Sequence, residues 1–264
     1  AAAEAFGQPP RFAIAEPVFE STADITGWTD FGRSSSWRIR IIAPEAVSLN
    51  FAFRNVKLVE GARLWVYPAT LAEKGVLDPQ RRLGPYGPEI NKPHGEFWTP
   101  VLPFNDVIIE LEVRSELRDQ ISLELFQANQ GYREFSGPAD TVPEKNQGPC
   151  EKGSYGAKSG SCNMDVACLG PADPWNDPRR AVARYTLQGS FLCTGALVNN
   201  TANDRRMLFA TATHCGISSA NAASVVAYWN YEWPNCRTPG TAAGTQVGPP
   251  DPRQTSSGAT LIAA

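Results

Sequence analysis

Five segments in the first half of the chain alternate apolar and polar residues with a period of two. They occupy residues 37–43, 47–53, 63–68, 106–113 and 121–127. This alternation is typical of half-buried β-strands, because successive side chains of a strand point to opposite faces of a sheet. Prolines and glycines separate the segments, and no helical pattern lies between them. The pattern therefore predicts two packed sheets, a β-sandwich of the jelly-roll kind.

A change of composition divides the chain into two parts. Residues 137–158 are rich in Gly, Pro and Lys and contain few apolar side chains. Such a segment cannot bury enough surface to order itself well, and we expect an exposed linker. We therefore predict an N-terminal arm and β-sandwich over 1–136 and a second all-β unit over 159–264. Four strand-like runs lie in the second unit, at 181–188, 191–198, 206–212 and 224–233.

The composition fits a globular protein and gives no reason to expect nucleic acid or membrane as a partner. Apolar residues make up 42% of the 264 residues and charged residues 19%, which argues against disorder. Lys and Arg number 24 against 27 Asp and Glu, so no general attraction to polyanions is expected. No apolar run is long enough to span a bilayer.

The cysteines indicate an oxidising compartment. All six lie in the second half of the chain, at positions 150, 162, 168, 193, 215 and 236. They contain no C-x-x-C pair and only two histidines accompany them, so we expect no zinc site, and no other cofactor is indicated. The chain opens Ala-Ala-Ala-Glu, a start that signal-peptide removal or trimming would leave. We predict a secreted protein.

A histidine directly before a cysteine is the most informative pair in the second half. His214 and Cys215 end the apolar run MLFATATHCG, residues 207–216. A histidine at the end of a strand, with its backbone fixed by a neighbouring disulfide, suits a general base that must keep one orientation. The alternative is a core histidine beside a structural cystine. His94, the other histidine, lies in a loop without a second candidate ligand, and we do not expect it to be catalytic.

The surroundings of His214 carry a family resemblance. Residues 189–216 combine a cysteine-bearing strand, a polar loop and a second strand that ends in Thr-His-Cys. This segment resembles the histidine-bearing part of chymotrypsin-like serine proteases and is more similar to bacterial lysyl endopeptidases, as are the blocks SGSCNMDVAC, LVNNTANDR and AYWNY. The resemblance covers about 159–264. It implies the first β-barrel of a double-barrel protease, with His214 as general base and peptide bonds cleaved after Lys.

The first half shows a looser resemblance to the pro-domains of such proteases, at GEFWTPVLPFNDVIIELEV and NQGYREF. The resemblance also implies an aspartate and a serine nucleophile after His214. No Gly-x-Ser-Gly turn follows it, Ser256-Ser257-Gly258 lacks the preceding glycine, and Asp251 fits the third role on residue type alone. We therefore expect an incomplete protease domain that needs a missing C-terminal half and is inactive as given.

Disulfides and a processing site follow from the same resemblance. It implies that Cys193 pairs with Cys215 and that Cys168 pairs with Cys236. Cys162 resembles a cysteine whose partner lies in the missing half, which leaves Cys162 and Cys150 unassigned or paired with each other. A lysine-directed protease that matures itself needs an accessible Lys before its own domain. Lys158 is favoured over Lys152, although linker lysines can also serve only solvation.

A non-catalytic function is the alternative from another class. A β-sandwich and a half-barrel can present loops or aromatic side chains to a carbohydrate or protein ligand. Trp37, Trp65 and Trp98 are the candidates for a sugar-binding platform, although the alternation places such residues more often in a core.

Overall fold

A computed structural model describes residues 9–70, 81–133, 135, 164–232, 236 and 254–263. Nearly all regular structure in these residues is antiparallel β, which confirms the all-β prediction. The strands are β1 (Ala13–Ser21), β2 (Trp28–Phe31), β3 (Ser34–Ile42), β4 (Ser48–Lys57), β5 (Arg63–Pro68), β6 (Leu83–Tyr86), β7 (Phe97–Trp98), β8 (Asp106–Arg114), β9 (Ser122–Gly131), β10 (Val182–Leu187), β11 (Phe191–Val198), β12 (Leu208–Thr211), β13 (Val226–Trp229) and β14 (Thr255–Ser257).

The helices bounded within these residues are short 3-10 turns. They span Ile25–Gly27, Pro88–Ile90, Ser115–Gln120, Val166–Cys168, Pro178–Ala181, Thr213–Cys215 and Ala222–Ser224. Across the described part of the chain, no helix has the length and apolar character needed to cross a membrane.

The first half is a β-sandwich. One sheet has the strand order β1-β9-β4-β7 and the other has the order β2-β3-β8-β5-β6. Alternate residues of β4, Leu49, Phe51 and Phe53, are fully buried between the sheets. They pack in one cluster with alternate residues of the opposite sheet, among them Ile109 and Leu111 of β8. The period of two seen in the sequence is therefore the pattern of one shared core.

The N-terminal arm contains more regular structure than its sequence indicates. β1 lies at the edge of the first sheet and pairs with β9, and β2 pairs with β3. Most β1 side chains are exposed on both faces, and large apolar side chains such as Phe19 point to solvent. An edge strand with little burial has no need for alternation, so a periodicity argument does not detect it.

The second half forms a five-stranded antiparallel sheet in the order β12-β11-β10-β13-β14. The family resemblance implies a barrel here, but in the described residues no strand pairing joins β12 to β14. The sheet is therefore open in the part of the chain that the structure describes. β10 and β11 form its central hairpin, in which Val182 pairs with Ala196 and Leu187 with Phe191.

The two faces of this sheet contact different parts of the molecule. On one face, Tyr185 of β10 and Ala227 of β13 pack with Cys215. On the other face, Val226 and Tyr228 of β13 pack against side chains of the first half. We call these the inner face and the outer face. The alternation along β13 thus separates the histidine-bearing side of the sheet from the side that contacts the β-sandwich.

Candidate active site

His214 lies on an exposed turn directly after β12. The 3-10 turn Thr213–Cys215 carries it, and Gly216 ends that turn with φ 73°, a left-handed conformation that favours glycine. The Gly216 N–H donates to the Thr213 carbonyl oxygen at 3.0 Å. The His214 side chain is exposed to solvent. This exposure excludes the alternative of a histidine enclosed in the core, and it leaves the ring accessible from solvent.

A disulfide joins the histidine turn to the centre of the sheet. Cys215 is 1% exposed and is bonded to Cys193 of β11. A second disulfide joins Cys168 to Cys236. These are the two pairings that the family resemblance implies. Because β11 is hydrogen bonded to both β10 and β12, the first disulfide fixes the backbone beside His214 to three strands.

Hydrogen bonds beneath the turn add to this support. The Thr211 hydroxyl donates to the Thr194 carbonyl oxygen at 2.9 Å, which leaves it to accept from the buried Tyr185 hydroxyl at 3.0 Å. Burial raises the pKa of Tyr185, so this hydroxyl remains a donor. On the other side of the turn, the Asn221 amide donates to the Gly216 carbonyl oxygen at 3.0 Å. No motif or spacing in the sequence indicates Tyr185, Thr211 or Asn221 as part of this site.

No catalytic triad is assembled around His214 within the described residues. No carboxylate or serine hydroxyl there is hydrogen bonded to its ring. Ser256 accepts a hydrogen bond from the Trp229 indole at 2.9 Å, and Ser257 donates to the Trp98 carbonyl oxygen at 2.8 Å. These two serines are therefore committed to local structure. Asp251 lies outside the described residues.

Three potential metal ligands meet beside the turn. The ligand atoms of Cys193, His214 and Cys215 all lie within 4.8 Å of one another. The two sulfurs are bonded to each other, however, and a metal would need them as thiolates. The cluster therefore serves the disulfide rather than an ion. Lys152, Lys158, Cys150 and Cys162 lie outside the described residues.

The tryptophans do not form a common surface. Trp37 is 1% exposed and belongs to the core of the β-sandwich. Trp98 is 5% exposed and belongs to the cluster between the two halves. Trp65 is covered by the guanidinium of Arg82, whose central carbon lies 4.2 Å from a ring centroid. These side chains therefore do not provide the shared exposed platform that sugar binding requires.

The second half matches a model of the family described as "Lysyl endopeptidase, C-terminal domain", over residues 156–264. The chain is related to the lysyl endopeptidases. The lysyl endopeptidase of Pseudomonas aeruginosa is 29% identical over 154 residues, which cover 56% of this chain and 30% of that protein. The chain thus matches less than a third of that lysyl endopeptidase. The alignment is longer than the family match and so reaches residues before 156.

Proposed function

We propose that this chain is the N-terminal part of a secreted serine endopeptidase precursor. Residues 1–136 are the pro-domain, 137–158 are the linker with the processing site, and 159–264 begin the protease domain. The single observation that carries the proposal is His214, exposed on a turn that a disulfide fixes to the sheet. Two similarities support the assignment: the match to the lysyl endopeptidase family over 156–264, and the longer alignment with the lysyl endopeptidase of Pseudomonas aeruginosa.

His214 acts as the general base and acid of peptide-bond hydrolysis. Its exposed ring takes the proton of a serine hydroxyl as that oxygen attacks the scissile carbonyl, and it returns the proton to the leaving amine. The Cys193–Cys215 bond keeps the backbone beside the ring in place while the proton moves both ways. The orienting aspartate, the serine and the oxyanion donors come from a C-terminal half outside these 264 residues. The chain alone is therefore inactive.

The substrates are proteins or peptides cut after lysine. The name of the related Pseudomonas aeruginosa protein supports this preference. The pocket that would bind the substrate lysine belongs to the missing half, so the described residues supply the base and not the selectivity. Maturation cuts after Lys158, or after Lys152. The two disulfides fit secretion into an oxidising compartment.

The decisive experiment compares His214→Ala and His94→Asn in the protein that contains the C-terminal half. Hydrolysis of peptide amides with Lys, Arg or Ala before the scissile bond is the measurement. Loss of one triad member typically lowers kcat by about 10⁴-fold or more, so His214→Ala should be almost inactive. His94→Asn removes the other histidine and should leave kcat unchanged. Full activity of His214→Ala, or no hydrolysis of any peptide by the unmodified protein, would overturn the proposal.

A further inference from the structure

An apolar cluster closes the contact between the two halves of the chain. It includes Phe12, Trp98 and Phe135 from the first half and Leu192, Val226 and Tyr228 from the outer face of the second-half sheet. All six side chains are at most 6% exposed. Separation of the halves would expose this whole set to water, which opposes separation through the hydrophobic effect.

Backbone hydrogen bonds join the halves at the edge of this cluster. The Phe12 N–H donates to the Ser190 carbonyl oxygen at 2.9 Å, and the Leu192 N–H donates to the Pro10 carbonyl oxygen at 2.9 Å. The Val101 N–H donates to the Tyr228 hydroxyl at 2.8 Å. The N-terminal segment thus pairs with the start of β11, which fixes the register between the halves.

The apolar cluster with the hydrogen bonds at its edge is the first component of the contact, and Arg184 forms the second. The central carbon of its guanidinium lies 4.7 Å from the Phe135 ring centroid and 4.9 Å from that of Tyr231. Its Nη1 donates to the Tyr231 hydroxyl at 2.7 Å. A partly desolvated cation between two aromatic faces is a favourable arrangement that depends on both rings. Phe135 belongs to the first half and lies just before the linker, so it is the ring that a separation would remove.

Two buried asparagines form the third component. The Asn50 amide donates to the Gly189 carbonyl oxygen at 3.0 Å, and the Asn129 amide donates to Asn50 Oδ1 at 2.9 Å. The Ser190 hydroxyl donates to Asn129 Oδ1 at 3.3 Å. Gly189 has φ 64°, and a Cβ there would overlap both asparagine side chains. The sandwich therefore recognises the backbone of one particular hairpin turn.

The apolar cluster and Arg184 lie on the outer face and the asparagines contact the turn between β10 and β11, whereas the histidine turn is fixed to the inner face. Cys215, adjacent to His214, packs with Tyr185 and Ala227, whose side chains point away from the sandwich. His214 is exposed while the sandwich occupies the outer face. Binding of the sandwich and access to His214 are therefore compatible.

We propose that the outer face of the second-half sheet is a docking surface on which the β-sandwich stays bound after the linker is cut, with His214 open. The partner is the first half of this same chain, anchored by Phe135 on Arg184 and by the Asn50–Asn129 pair on the turn at Gly189. The interface does not depend on proteolytic activity. The two fragments can therefore separate even if the protein is a protease, and they can stay together even if it is not.

The test uses the full chain with a recognition sequence for an unrelated, site-specific protease inserted between residues 137 and 149. All six cysteines lie at position 150 or beyond, so the cut leaves no covalent bond between the fragments. The two fragments should elute together in size-exclusion chromatography without denaturant. Separate elution at micromolar concentration would overturn the proposal.

Matched variants locate the interface. Phe135→Ala should raise the dissociation constant of the cut fragments about 30-fold, as truncation of a central aromatic anchor typically does. Phe31→Ala removes an equal ring from the sandwich at a position that is 63% exposed, and it should leave the dissociation constant unchanged. Gly189→Ala tests the turn from the other side and should also weaken the complex. Equal dissociation constants for Phe135→Ala and Phe31→Ala would contradict the assigned surface.

Access to His214 is measured by its rate of modification with diethylpyrocarbonate. Mass spectrometry of peptides separates the modification of His214 from that of His94. The rate for His214 should be the same, within about twofold, in the uncut chain and in the cut complex, and close to that of a histidine in an unstructured peptide. A rate tenfold or more below that of the peptide would show that the sandwich covers the histidine, against the proposal.

Discussion

His94 is half-buried where the first half meets the segment after β14. Its ring lies against Gly258, and its Nδ1 accepts a hydrogen bond from the Glu96 N–H at 3.2 Å. Burial lowers the pKa of His94 below its usual 6.5, opposed by the charge of Glu96 and aided by that of Lys92. The neutral ring is therefore the form that fits the folded state.

Acidification should destabilise the protein through His94. A lowered folded-state pKa means that the unfolded chain binds the proton first, so the free energy of unfolding declines as pH falls below about 6.5 and through the lower folded-state pKa. His94→Asn keeps an acceptor near the Nδ1 position and removes the titration. Urea unfolding between pH 5 and 8 gives the free energy of unfolding at each pH. Its dependence on pH should be weaker for this variant than for the unmodified protein. An identical dependence would exclude His94 as the source.

At the scale of single residues, the sequence indicates candidates that stand next to each other along the chain. His214 and Cys215 are consecutive, and the run around them predicts a general base beside a disulfide. Tyr185 and Thr211 escape prediction because their hydrogen bond joins residues 26 positions apart. The stacking of Phe135 on Arg184 escapes for the same reason, since neither residue type in its local setting indicates the other.

The strands β11 and β12 depend on a glycine in their hairpin. A Cβ at Gly195 would lie 2.5 Å from the Phe209 ring and 2.7 Å from the Ala210 carbonyl oxygen. Gly195→Ala must therefore push β12 away from β11 and should lower the free energy of unfolding by about 1–3 kcal/mol. Gly170→Ala is the control, because nothing lies within 4 Å of a Cβ at that position. Equal urea midpoints for the two variants would contradict this account.

Elements that are buried on one face are the ones that the sequence predicts well. The segment 37–43 falls within or beside β3, and 106–113 lies within β8, both of which face the sandwich core. β1 escapes because its side chains are mostly exposed. β7 and β14 escape because strands of two and three residues are too short to show a period.

Across the whole molecule, the division into two units is clearer in the sequence than in the packing. The change of composition at 137–158 falls between β9 and β10, and none of the three sheets combines strands from both sides of it. No sequence pattern indicates that the outer face of the second sheet is covered. That contact is made from residues distant in the chain, such as Val101 and Tyr228, whose hydrogen bond spans 127 positions.

The shared cluster predicts that both halves lose stability together. Tyr228→Phe keeps the ring in the cluster but leaves the buried Val101 N–H without its acceptor, which should cost about 1–3 kcal/mol. If the halves unfold as one cooperative unit, amide exchange should accelerate equally in β4 of the sandwich and in β10 of the second sheet. Tyr132→Phe, at a position 44% exposed, removes a hydroxyl that donates to the Arg11 carbonyl oxygen at 2.8 Å, but water can replace this exposed donor, so both rates should change much less. Faster exchange confined to β10 would show that the contact stabilises only the second half of the chain.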